Sequence, residues 1–138
     1  MGGFFMKLSF TTLGCPKWSW KQIVENAAAY GYKGIELRGV EGELYLPKVS
    51  YFSDLNLKDT LNYLKEKNIE IVCLGSSVNF HDPENFEKNL NEARDYIELA
   101  EKMGVKYIRV FGDRITDLSK REEILGSIAK GLEQVYKM

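Results

Sequence analysis

Glu36 and Arg38 alternate with Ile35 and Leu37 in one short apolar run, and Arg109 alternates with Ile108 and Val110 in another. An alternation of period two puts the charged side chains on one face of a strand and the aliphatic ones on the other. A guanidinium offers a planar set of donors that matches a phosphate or carboxylate, and a carboxylate accepts from hydroxyls. Gathered in one cavity, these residues would hold an anionic, hydroxyl-rich small molecule. Without a ligand, Glu36 and Arg109 would simply neutralise each other as an ion pair. Both readings stand at this level.

Other polar groups follow the apolar runs. Gly14 and Cys15 come after the first, Ser76, Ser77, Asn79 and His81 after the third, and Phe111 and Asp113 at the end of the fourth. His81 is the only histidine. It could serve as acid, base or ligand, but it also precedes Asp82-Pro83, a helix start where an exposed loop residue needs no further role. A metal site takes about three or four protein ligands, which one histidine and scattered carboxylates do not supply. Cys15 and Cys73 lack CxxC spacing, so neither a disulfide framework nor a thiolate site is expected. Trp18 and Trp20 could line a pocket for the apolar face of a sugar or pack at a helix start. The substrate-binding set is therefore Glu36, Arg38, Ser76, His81 and Arg109, with no catalytic residue and no metal ligand assigned.

Four strands and four helices must position that set. The strands are expected over Lys7 to Thr12, Gly34 to Arg38, Glu70 to Leu74 and Tyr107 to Phe111, with starts 27, 36 and 37 residues apart. Such spacing suits parallel strands joined by helical crossovers. Ser19 and Gln22 form a capping-box pattern before Ile23, Val24, Ala27 and Ala28, and Gly31 supplies a stop. Asn56 and Asp59 open a second helix with Leu57, Leu61 and Leu64 on one face. Asp82 and Pro83 begin the third, striped by Phe86, Leu90, Ala93, Ile97, Ala100 and Met103 and ended by Gly104. Ser119 and Glu122 begin the fourth, with Ile124, Ile128, Leu132 and Val135 inward. A repeat also appears: 31–39 aligns with 104–112 at an offset of 73 residues, which sets Glu36 on Arg109. A duplicated ancestor and the shared demands of a helix-to-strand turn account for it equally well.

Four βα units fit either a small doubly wound sheet or half of a (βα)8 barrel. Central strands covered on both faces read as continuously apolar, whereas these carry one aliphatic and one charged or aromatic face. The run after the first strand is not the GxGxxG of a dinucleotide fold. The barrel arc is favoured, as a single domain over 1–138 with 1–5 as a short extension. A complete barrel of this kind takes about 250 residues, so the arc leaves two strand edges unpaired and its lumen side, including Phe10, Tyr107 and Phe111, uncovered. A second copy or a C-terminal half-barrel is the expected partner. The chain carries 19 basic and 20 acidic residues, a formal charge of -1, with no basic run, which argues against nucleic acid. No apolar run reaches the ~20 residues of a membrane span, and a cytoplasmic protein is expected.

Four segments together, 13–20, 31–38, 73–77 with 80–83, and 107–112, resemble the sugar phosphate isomerase/epimerase group of the xylose isomerase-like TIM barrels. That superfamily also includes inosose dehydratases, ketose 3-epimerases and the endonuclease IV type of repair enzyme. The resemblance implies a TIM barrel enzyme using a divalent metal (Mn, Mg, Zn or Co) and paired glutamates on its later strands. It covers only the first four units, so those catalytic roles find no residue here, and tight metal binding by this chain alone is not expected. What it implies for these positions is a substrate wall of Glu36, Arg38, the 76–81 region and Arg109, facing a sugar or sugar phosphate. The single histidine separates the chain from the endonuclease IV branch. The competing reading is a non-catalytic half-barrel that assembles with itself or a partner.

Overall fold

Four parallel strands lie side by side in chain order: β1 (Ser9–Thr11), β2 (Gly34–Leu37), β3 (Glu70–Asn79) and β4 (Ile108–Phe111). Helices α1 (Trp20–Ala29), α2 (Leu57–Glu66) and α3 (Phe86–Met103) connect them, and α4 (Arg121–Tyr136) follows β4. The computed structural model describes residues 6–112, 115 and 117–138; the expected extension at 1–5 and the candidate Asp113 lie outside the described residues. A doubly wound sheet reverses its strand order at a switch point so that helices cover both faces. Here the order never reverses, and right-handed crossovers between successive neighbours put the helices on one side. The fold is an arc of four βα units, matching half of a TIM barrel. The doubly wound alternative is excluded. Among the described residues no helix is long and apolar enough to cross a membrane.

The aliphatic strand face and the helices form the core. Ile35, Leu37 and Leu74 are fully buried with Ile23 and Val24 of α1, Leu64 of α2 and Tyr96 of α3. A satellite cluster joins Val78, Phe80, Leu90 and Ala93 to Ile128 and Val135 of α4. Phe10, expected on the lumen side, instead belongs to the core side. It pairs in register with Ile35 and packs against Tyr32, because the alternation in β1 runs one residue out of step with that reading.

Local signals and structure agree at α1, where Ser19 Oγ accepts from Gln22 N and Gln22 Oε1 accepts from Ser19 N. Gly31 and Gly104 end α1 and α3 with φ of +81° and +69°, the left-handed conformation that favours glycine. Other starts differ. Asp82 caps a 3-10 turn, Pro83–Asn85, which feeds α3 at Phe86. The fourth helix is opened by Asp117, which accepts from Ser119 N and Oγ, and not by Ser119 itself. Asn56 occupies the N-cap of α2 but donates its amide to Ser50 O. β1 is shorter than expected and passes directly into the turn Thr12–Gly14, whereas β3 runs on to Asn79. Leu132, expected inward, is 46% exposed, since among the described residues β4 is the last strand of the sheet and no further strand lies under that side of α4.

The long β2–α2 connection supplies core of its own. Val40, Leu46, Val49 and Phe52 are buried, and 3-10 turns at Leu46–Lys48 and Ser50–Phe52 shape it. Buried Tyr96 anchors it by accepting from Leu46 N and donating to Leu44 O. Trp20 is buried against Tyr51 and Phe52, with its backbone N donating to Glu41 Oε1, so its role is packing.

Two glycines of α4 give opposite expectations. A Cβ on Gly131 would stand 2.1 Å from the Phe80 ring, which is 2% exposed and cannot swing away, whereas one on Gly126 meets open space. Gly131→Ala should destabilise by about 1–3 kcal/mol through overpacking. Gly126→Ala should stabilise by about 0.5–1 kcal/mol through helix propensity. Urea unfolding of the two variants checks both signs.

Candidate functional site

The charged face comes together over a gap in β3. Glu36 on β2 and Arg109 on β4 are separated by that strand, yet Arg109 Nε donates to Glu36 Oε1 at 3.0 Å, with side chains 34% and 30% exposed. Gly75 makes this possible. A Cβ there would lie 3.0 Å from Arg109 Nη2 and 3.0 Å from Arg38 Cδ, so both arginines lie across its bare backbone. Phe111 forms the floor, with the Arg109 and Arg38 guanidiniums 4.8 and 5.8 Å from its ring centroid. A guanidinium over an aromatic face is held by the ring quadrupole while its edges stay free to donate.

Arg38 is the less compensated cation. Its Nη2 donates to Ser77 Oγ at 3.0 Å and its Nη1 to Leu44 O at 3.4 Å, so its described hydrogen-bond acceptors are neutral. Its backbone is fixed by Thr12, a buried residue whose Oγ1 accepts from Arg38 N and Gly39 N. Thus β1 sets the height at which β2 ends. Thr12 carried no signal in sequence, because a threonine after a strand is unremarkable until a second strand end is placed beside it.

β3 reaches the site through an irregularity. Gly75 pairs with Arg109 and Asn79 with Phe111, so four steps of β3 span two of β4. The backbone donors of this stretch turn to side chains: Ser77 N donates to Glu92 Oε1 (2.7 Å), Val78 N to Ser76 Oγ (3.3 Å) and Asn79 N to Asn89 Oδ1 (2.9 Å). Asn89, itself buried, donates onward to Asn85 O. Glu92 and Asn89 of α3 therefore hold Ser77 where Arg38 finds it.

The expected residues separate accordingly. Glu36, Arg38 and Arg109 are brought together. Ser76 is not with them: it is fully buried and its Oγ donates to Arg109 O, since residues of even number here face the helices. Ser77, one step on, takes the place beside Arg38. His81 lies two residues beyond β3, partly buried, next to the Asp82 cap. The Asp82 carboxyl is held below the usual carboxylate range by the Asn85 amide first, then by Glu84 N, with the nearby His81 adding to it. Gly14 and Cys15 end the turn after β1 and line a pocket of about 660 Å³ at the free edge of that strand, together with Phe10, Trp18, Tyr32 and Glu36. Burial raises the Cys15 thiol, and burial with the Glu36 charge raises that of Cys73, so neither is an activated nucleophile.

A family model described as xylose isomerase-like TIM barrel matches residues 24–138. The chain belongs to that family. Among solved structures, the probable 3-DHS dehydratase AsbF of Bacillus anthracis, involved in petrobactin synthesis, shares the fold with a TM-score of 0.75 at 24% identity, over 96% of this chain and 49% of its own. A xylose isomerase-like TIM barrel protein from Mycobacterium smegmatis, in complex with magnesium, gives a TM-score of 0.62 at 15% identity, over 95% of this chain and 52% of its own. The chain thus spans about half the length of these structures. No curated protein matches it.

In this xylose isomerase-like arc, the donor set does not fit a divalent metal. Among the described residues no three His, Cys, Asp or Glu side chains group to hold one, and the Glu36 carboxylate is already engaged by Arg109. What the arrangement offers is guanidinium and hydroxyl recognition.

The support from α3 is testable without a ligand. Asn89→Ala removes the acceptor of a backbone donor and should cost about 1–3 kcal/mol, because an unsatisfied buried amide carries its full desolvation penalty. Glu92→Gln keeps an acceptor and should cost less. Urea unfolding gives the ranking, and amide exchange at Ser77 and Asn79 should quicken in Asn89→Ala before the rest of β3 does.

Proposed function

We propose that this chain forms the substrate-recognition wall of a TIM-barrel enzyme of the sugar phosphate isomerase/epimerase kind. The observation that carries the reading is the pair of arginines across Gly75, one ion-paired with Glu36 and the other, Arg38, bonded only to neutral acceptors among its described hydrogen bonds. A partly exposed ion pair adds only about 0–1 kcal/mol to stability, so stability is a weak reason to gather three charges at one strand end. A guanidinium with neutral partners, as Arg38 is, suits a phosphate or carboxylate on the substrate. Arg38 takes that group, Ser77 steers it, and Glu36 accepts from neighbouring substrate hydroxyls while Arg109 holds its carboxylate in place. The site stands at the carboxyl ends of β2 and β4, where barrels of this type keep their chemistry.

Isomerases and epimerases move a proton at a carbon beside a carbonyl. No described residue is assigned that step; further βα units facing this wall would supply it. A dehydratase, the activity named for the Bacillus anthracis structure, is the second reading. It differs in the chemistry of those facing units and keeps the same recognition wall. A non-catalytic half-barrel would need no such wall.

The test compares Arg38→Met with the unaltered chain by calorimetry, using inorganic phosphate, a hexose phosphate and the corresponding neutral hexose. A hydrogen bond to a charged group is worth about 1.5–3 kcal/mol, so the variant should lose tenfold or more in affinity for the two phosphates and little for the neutral sugar. Equal losses for charged and neutral ligands, or no phosphate binding by the unaltered chain, would overturn the reading. Arg38 is the better choice than Arg109, whose removal also strands Glu36.

A further inference from the structure

Arg38 carries its guanidinium on a long, rotatable side chain, and an anion gains only what is left after that chain has been ordered. Three contacts order it. Its Nη2 donates to Ser77 Oγ, its Nη1 donates to Leu44 O, and the guanidinium lies over the Phe111 ring. Neither acceptor is held by regular strand pairing. Ser77 lies where β3 leaves its ladder with β4. Leu44 follows a turn in which Glu41 and Gly42 both have positive φ, in the long connection after β2. Both acceptors are fixed from α3 instead. Ser77 N donates to Glu92 Oε1 at 2.7 Å, and the Tyr96 hydroxyl donates to Leu44 O at 3.1 Å.

We infer that Tyr96 is a positioning residue of the anion site: with Glu92, one turn earlier on α3, it sets the two acceptors that aim Arg38. This rests on Arg38 taking the anionic group of the substrate. Residues four apart share a helix face, so one turn of α3 meets both the end of β3 and the β2–α2 connection. Tyr96 is fully buried, and its hydroxyl accepts from Leu46 N at 3.2 Å. The single hydroxyl proton is then committed to Leu44 O. The Tyr45 ring stands edge-on to Tyr96, and the Tyr45 hydroxyl donates to Asp95. Residues 44, 45 and 46 are thereby each bonded to α3.

Both acceptors are neutral, so they aim the guanidinium without cancelling its charge. They use two of its five N–H donors and leave three for a ligand. Ser77 Oγ accepts from Arg38 and keeps its own proton, which can be donated to the same anion. A phosphate or carboxylate therefore meets donors already set in place. An ionic partner would order a guanidinium too, but it would compete with the ligand, as Glu36 does at Arg109. A merely structural Tyr96 would serve Leu46 N alone. Its bond onward to Leu44 O is what reaches Arg38.

Magnetic relaxation at the arginine Nε–Hε groups, with phosphate calorimetry, tests this on the whole chain. Tyr96→Phe keeps the ring and removes the hydroxyl. The Arg38 order parameter, which reads fast side-chain motion, should fall, while that of Arg109, bonded to Glu36, should not. Affinity for inorganic phosphate should drop roughly three- to tenfold, as expected when one long side chain must be ordered on binding. In an Arg38→Met background the same substitution should change phosphate affinity no further, although its effect on urea stability persists. Glu92→Ala should repeat the loss of order at Arg38 and Glu92→Gln should not, a pair that decides the matter if Tyr96→Phe does not fold. Glu98→Ala, at an exposed position of α3, should leave Arg38 unmoved. An Arg38 already mobile in the unaltered chain, unchanged order in folded Tyr96→Phe or in Glu92→Ala, or equal loosening of Arg109 or by Glu98→Ala would overturn the proposal. The order parameters need no ligand, so an unaltered chain that binds no phosphate while Arg38 moves as expected would overturn the recognition reading alone.

Discussion

A missing side chain organises the charged face of this sheet. Gly75 sits on the strand between Glu36 and Arg109, and any larger residue there would meet Arg109, Arg38 and the Leu37 carbonyl at once. With that position bare, groups from non-adjacent strands touch across β3, and two guanidiniums share the Phe111 ring. The cations approach one another because a carboxylate and an aromatic face offset their repulsion. Everything proposed about recognition depends on that crossing.

Holding it in place falls to residues with no chemistry of their own. Thr12 ties β1 to the end of β2, Tyr96 ties α3 to the long β2–α2 connection, and Asn89 with Glu92 satisfies the irregular end of β3. Where β3 outruns its partner, the regular ladder cannot pair every backbone donor, and a buried unpaired donor is costly. Side chains from α3 answer that demand. The alternation of the strand turns Ser77 toward Arg38, and the acceptors on α3 hold it there.

The repeat has a related physical reading. Glu36 and Arg109 are equivalent positions 73 residues apart, and they are bonded to each other. Each segment opens with a glycine of positive φ that ends a helix, and each continues into a strand whose alternate residues face the lumen. Similar turns place similar positions at similar heights, and alternate strands of a barrel then bring those heights into one layer. Opposite charges at the two positions are what let them share it.

The amino-acid sequence alone determined the alternation of strand and helix, the faces of β2 and β4, the capping box of α1 and the glycine stops. These rest on periods of two and 3.6 residues and on backbone conformations that neighbours in the chain decide between themselves. It also made Glu36, Arg38 and Arg109 candidates, since charge alternating with aliphatic residues needs only local geometry to be read. Tertiary structure decided the rest. The extension of β3 past Leu74 buries Ser76 and sets Ser77 beside Arg38, because neighbouring residues of a strand face opposite sides. Phe10 went to the core and Leu132 stayed exposed because burial depends on what lies opposite, which no local period records. Gly75, Thr12, Asn89 and Glu92 matter only through partners far away in the chain, and such partners exist only once the strands lie side by side.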